Sequence, residues 1–261
     1  VGTDPHSFEP TPQDIAKVAD ADIVFANGAG LEEFIDHLLE SAGATDQIVE
    51  VSAGIELLDH PNAGEADLAE DDYDHADDED HEQAETGGDP HTWTDPNNVM
   101  VWVEHIEDAL SKADPAHAEA YVENAAAYTA ELEDVDAWIR EQIAQIPEEN
   151  RKIVTDHSLL GYYAEEYGLE MSGAIIPGYS SLSEPSAQEL AAIEDAIRDT
   201  GVKAVFVGNT VNPNLAERVA EDTGVELIFF YTGSLSAADG DVPTYLDYLR
   251  YNTNAFVNAL K

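Results

Sequence analysis

Three histidines stand in loops that share a composition: His6 in GTDPHSFEPTP, His91 in GDPHTWTDP and His157 in VTDHSLL. Imidazole suits zinc and the neighbouring transition metals, and three imidazoles with one oxygen donor complete a tetrahedral site. Asp4, Asp89 and Asp156 lie just upstream, where a carboxylate can accept from an imidazole and fix its orientation. One loop histidine would carry no such meaning; three in matched surroundings point to metal binding. An open zinc position would also suit a metal-dependent hydrolase. The rest of that machinery is missing: there is no His-Glu-x-x-His helix and no placed general base, and Ser158 lacks a nucleophile-elbow context. His37, His105 and His117 fall in helical patterns and read as surface residues.

The elements around these loops alternate in a way that implies parallel sheets, in which ligands gather beyond the carboxyl ends of strands. TPQDIAKVADADIVFANGAGLEEFIDHLLESAG reads as helix, strand, turn, helix. Thr11 caps the first helix, with Pro12 in its first turn and Asp14 at the third position. Residues 21–26 form a short strand, and Leu31 to Ser41 an amphipathic helix that stops near Gly43. QIVEVSAG is a second strand, and a helix runs from about Asn97 to Ser111. A longer amphipathic pattern from Pro115 to about Ile146 spans roughly 45 Å, more than one lobe needs. Beyond it the same alternation returns, with a helix closed by Gly168, another capped by Ser186, one with Pro213 in its first turn, and a terminal helix. The expected architecture is α/β: an amino-terminal lobe over 1–113, a connecting helix over 114–147 and a carboxy-terminal lobe over 148–261.

Ten Lys and Arg against 56 Asp and Glu give a formal charge of −46, which repels nucleic acid and leaves no basic patch for an anionic membrane. The acids are spread along the chain, as expected of a surface adapted to high salt. Without cysteine, disulfides and thiolate zinc sites are excluded. No apolar run approaches the ~20 residues of a membrane span. Residues 59–88 differ from the rest: acids, few large apolar residues and no periodicity predict a mobile loop.

The segments GTDPHSFEPTPQDIAKVADADIVFANGAGLEEF, DPHTWTDPNN, VTDHSLLGYYAEEYGL and TYLDYLRYN resemble, in order and over essentially the whole chain, the solute-binding proteins of zinc/manganese ABC importers. The resemblance implies two α/β lobes bridged by a rigid helix, with a metal ion held between them by His6, His91 and His157. It implies a monomer on the extracellular or periplasmic side that hands its ion to a membrane permease, anchored through an amino-terminal segment that this sequence does not contain. Family members carry further elements before the Gly-Thr-Asp-Pro-His turn, so the first lobe reads as truncated at its amino terminus. They also carry an acidic ligand in a segment like YTDSLS, where this chain has YTGSLS with Gly233. The expected fourth ligand is therefore water, ahead of Asp239, Asp241 or Glu9. Zinc-type members have a His- and acid-rich loop before the second ligand turn. His60, His75 and His81 match it, which implies cation collection and favours zinc over manganese as cargo.

Overall fold

A computed structural model of the chain describes residues 2–32, 34–44, 47–59 and 88–261; His60, His75 and His81 lie outside the described residues. The amino-terminal half opens with α1 (Pro12–Ala19), started by the expected capping box in which Thr11 and Asp14 exchange side-chain and backbone hydrogen bonds. It continues through β1 (Val24–Ala26), α2 (Ile35–Ala42) and β2 (Ile48–Glu50), and Gly43 ends α2 in the left-handed conformation. β1 and β2 pair in parallel. Both strands are shorter than their apolar runs suggest, with the register confined to Val24–Ala26 opposite Ile48–Glu50.

Next comes α3 (Pro96–Ala113), whose amino terminus is capped by Asp95 accepting from the backbone of Asn97. A short turn leads to α4 (Ala118–Ile143), about 39 Å long. α4 is trimmed at both ends relative to its amphipathic pattern: His117 and Asp114 close a turn before it, and Pro147 follows it. It packs against α3, and its second half buries Leu132, Val135, Ile139 and Ile143. One long helix therefore links two α/β lobes.

The carboxy-terminal half contains β3 (Lys152–Thr155), α5 (Gly161–Tyr167), β4 (Glu170–Ala174), α6 (Ala187–Thr200), β5 (Ala204–Gly208), α7 (Asn214–Thr223), β6 (Glu226–Phe230) and α8 (Tyr245–Leu260). The four strands form one parallel sheet in the order β4-β3-β5-β6. Side chains alternate across it, and both faces are covered. Ile153 and Phe206 point into a core with Ile139, Phe230 and Phe256. Val154, Val205 and Val207 point the other way, onto Ile193, Ile197 and Val219. From β3 the chain adds β4 on one side and β5 on the other. The carboxyl end of β3 is thus a switch point, where such sheets open a crevice for ligands. Among the described residues no helix is long and apolar enough to cross a membrane.

Candidate metal centre

His157 stands two residues beyond β3, at that switch point. Asp156 beside it is almost fully buried and acts as a junction. Its Oδ1 accepts from the backbone N–H of His157 at 2.7 Å and from Nδ1–H of the same ring at 2.5 Å. Its Oδ2 accepts from the backbone N–H of Gly208, at the end of β5. The neighbouring strand therefore fixes the aspartate, and the aspartate fixes the imidazole.

The two Asp-Pro-His segments fold alike. In each, the aspartate Oδ1 accepts from the backbone N–H of the histidine two residues on, at 3.0 Å for Asp4–His6 and 2.9 Å for Asp89–His91. This is the Asx turn that short acidic side chains favour. Asp89 also accepts from Nδ1–H of His91 at 2.7 Å. With Nδ1 protonated, the Nε2 atoms of His91 and His157 are left with free lone pairs.

These atoms converge. His6 Nε2 lies 3.1 Å from His91 Nε2, and one ring nitrogen from each of His6, His91 and His157 falls within 4.8 Å of the others. The imidazoles meet edge to face, with centroids 5.2 to 5.6 Å apart. Two nitrogens on a tetrahedral zinc at 2.0–2.1 Å would stand about 3.3 Å apart, so the spacing fits a shared ion. Burial, followed by the neighbouring His91 and His157, pushes the His6 pKa down to about 3. Burial and His157 likewise hold His91 well below the ordinary histidine value. Both imidazoles are neutral at pH 7, as metal ligands must be.

The chamber is small, lined by Asp4, Pro5, Trp93, Leu159, Thr210, Thr232 and Gly233 around the three imidazoles. Gly233 is tightly covered: a Cβ there would lie 2.3 Å from Pro5 Cδ. The Pro5 ring fills the space that any side chain at 233 would enter. Glu9, Asp239 and Asp241 are exposed and do not join the histidine cluster.

Several contributors carried no signal in the sequence. Tyr162 in α5 donates to the backbone oxygen of Asp89 at 2.7 Å, and Tyr245 in α8 donates to that of Trp93 at 2.6 Å. Ser181 donates to Asp4 Oδ2. All three bind a ligand turn of the first half from the second half. A Cβ on Gly161 would lie 2.6 Å from Asp89 Oδ2, so the start of α5 must be glycine for the two halves to meet this closely. Of the remaining histidines, His37 is exposed, and His117 is exposed with Asp114 at 2.6 Å. His105 corrects its surface reading: it is half-buried and its Nδ1–H donates to Val51 O at 2.9 Å, tying α3 to the end of β2.

The family described as zinc-uptake complex component A, periplasmic, matches residues 1–259. The manganese-binding lipoprotein MntA of Halalkalibacterium halodurans is 36% identical over 261 residues, covering 100% of this chain and 79% of its own. The iron-binding protein YfeA of Yersinia pestis is 31% identical over 252 residues, covering 95% of this chain and 73% of its own. Among solved structures, a manganese-bound periplasmic metal-binding protein of Candidatus Liberibacter asiaticus superposes with a TM-score of 0.78 at 27% identity, covering 99% of this chain and 88% of that one. The periplasmic zinc-binding protein TroA of Treponema pallidum shares the fold, with a TM-score of 0.83 at 23% identity over 99% of this chain and 88% of that one.

Proposed function

The chain belongs to the family of periplasmic zinc-uptake complex components, and on that premise we propose that it captures a divalent metal ion outside the cytoplasm and delivers it to the permease of an ABC importer. It is a binding protein, not an enzyme. The observation that carries this reading is the convergence of His6, His91 and His157 within 4.8 Å in a buried chamber. The ion is cargo. His6 and His91 come from the lobe over 1–113 and His157 from the lobe over 148–261, with 114–147 as the bridge, so a bound ion joins the two.

We assign zinc as the ion held most tightly. All three protein donors are imidazole nitrogens, no carboxylate joins them among the described residues, and Gly233 has no side chain to offer, so we take water as the fourth ligand. Such a donor set suits zinc better than manganese, which prefers oxygen ligands. A manganese cargo is the second reading, favoured by the name of the 36% identical relative. Calorimetric titration of metal-stripped protein with each ion in high salt decides between them. One tight zinc site with much weaker manganese binding is expected; tighter manganese binding would reverse the assignment.

The acidic segment is proposed to gather cations for this site. Its stems close beside the chamber: Asp89 N–H donates to Leu58 O at 2.8 Å, two residues from His91, and Tyr179 donates to Asp59 O at 2.7 Å. Deleting residues 65–85 should slow zinc loading or lower stoichiometry while sparing the main site. Equal loss of the main site would refute a purely collecting role.

A further inference from the structure

Two tyrosines of the second half reach residues 58, 59 and 89 of the first, and ligation of an ion by three histidines requires neither of them. Tyr162 and Tyr179 are each only 6% exposed. The Tyr162 hydroxyl accepts from the backbone N–H of Leu58 at 3.2 Å and donates to the backbone oxygen of Asp89 at 2.7 Å. A peptide N–H can only donate and a carbonyl can only accept, so one orientation of this hydroxyl serves both. Leu58 and Asp89 are also joined directly, because Asp89 N–H donates to Leu58 O at 2.8 Å. The Tyr179 hydroxyl donates to Asp59 O at 2.7 Å, and its ring centroid lies 6.1 Å from that of His91.

The two hydroxyls thus hold the first half against α5 and against the loop after β4. The connection runs on to the metal site, because Asp89 Oδ1 accepts from the His91 backbone N–H and from its Nδ1–H. Apolar packing is incomplete at this join: a space of about 110 Å³ lies beside Leu58, Asp89, Ser158, Gly161 and Tyr179. Atoms that line a void lose attractive contacts on that side, which leaves the hydroxyl bonds a larger share of the join.

On the reading that the chamber captures a metal ion, we infer that Tyr162 and Tyr179 are positioning residues that clasp the two halves and set how long a captured ion stays bound. The ion is held by His6 and His91 from one half and His157 from the other, so it leaves when the halves part. Parting breaks the tyrosine hydrogen bonds to Leu58, Asp59 and Asp89. Capture begins before those bonds are made. Losing the clasp therefore speeds release and leaves loading unchanged, the usual division when contacts inside a complex are weakened.

The test uses the full chain in high salt, loaded with zinc, or with manganese if that ion binds more tightly. Stopped-flow mixing with excess chelator gives the release rate, and mixing of stripped protein with the ion gives the loading rate. Tyr163→Phe is the control: it neighbours Tyr162 on α5, but its hydroxyl pairs with Thr253 Oγ1 at 2.9 Å inside the second half. At the ordinary net worth of a hydrogen bond, each bond lost should speed release about fivefold. Tyr162→Phe, which loses its bonds to Leu58 and Asp89, should release the ion roughly ten- to thirtyfold faster, and Tyr179→Phe about fivefold faster. Both should load at the wild-type rate, and Tyr163→Phe should change neither rate. Amide exchange at Leu58 and Asp89 in the loaded protein should quicken in Tyr162→Phe and not in Tyr163→Phe. Tyr179→Phe carries the test alone if Tyr162→Phe does not fold. Release at the wild-type rate in a clasp variant that still binds one ion would overturn the clasp, as would equal acceleration in Tyr163→Phe. A wild-type chain that binds neither ion would overturn the capture reading itself, and the clasp with it.

Discussion

The two halves of the molecule support their metal ligands differently. His157 rises from the end of β3, inside a four-stranded sheet covered on both faces, and its aspartate is anchored by the next strand. His6 and His91 sit on Asp-Pro-His turns beside a two-stranded sheet, and much of what steadies those turns comes from the other half: Ser181, Tyr162, Tyr245 and the close approach of Gly161. One half is thus a preformed floor, and the other supplies ligands whose positions depend on contact with that floor. A ligand set divided in this way links ion binding to the apposition of the two halves.

The sharpest way to break the comparison is through the cores. Phe206 is fully buried, with its ring centroid 5.0 Å from Phe256 and 6.3 Å from Phe230. Phe206→Ala should cost roughly 3–5 kcal/mol in denaturant unfolding at high salt. Phe25, on β1, is 38% exposed. Phe25→Ala should cost less than Phe206→Ala, because more than a third of Phe25 is already exposed to solvent. Similar losses at the two positions would mean that the halves share one core after all.

Within the chamber the same contrast can be sharpened by titration. His91→Ala should weaken zinc binding by more than the roughly 10–100-fold that losing an orienting partner costs, because a ligand itself is gone. Asp156→Asn and Asp89→Asn should each fall in that roughly 10–100-fold range, since each carboxylate receives an imidazole Nδ1–H. Asp4 accepts from the His6 backbone and from Ser181, but not from the His6 imidazole. Asp4→Asn should therefore cost less than about tenfold. A penalty at Asp4 as large as that at Asp156 would show that the first turn is as rigidly built as the strand end.

Much of this was legible in the chain. Thr11, Ser186, Gly43 and Gly168 announce helix ends through local chemistry that tertiary contacts do not override, and they stand where expected. The three histidines were marked by their matched Asp-containing turns. The bracing contacts were not legible, because Tyr162 to Asp89 and Ser181 to Asp4 span 73 and 177 residues and have no periodic signature. Gly233 was visible as a departure from a pattern, but its contact with Pro5 becomes apparent only when the two segments meet. The surface reading of His105 failed for a similar reason: its place in α3 is periodic, yet its partner is Val51 O at the end of another element.

The smallest expected effect concerns the seam between the halves. Asp95 is 7% exposed at the start of α3, and its Oδ1 accepts from the backbone N–H and the Nδ2 of Asn97, both at 2.8 Å. Burial is the main cause that raises its pKa to about 6, with the nearby Glu166 and Asp136 carboxylates adding to it. The folded state therefore holds this proton more tightly than the unfolded chain, whose ordinary value is 3.8. Between those two values the folded state binds more protons, so the Asp95 contribution to stability falls as pH rises through the window, and the cost is complete above about 6. Asn at 95 keeps an acceptor for the cap and carries no charge. Asp95→Asn should gain on the order of 1 kcal/mol relative to wild type at neutral pH, and that gain should shrink as pH falls towards 4. Paired urea titrations across the range measure the gap directly. A gap that widens in acid would mean that the ionised cap is stabilising, and that the seam tolerates its charge better than its burial implies.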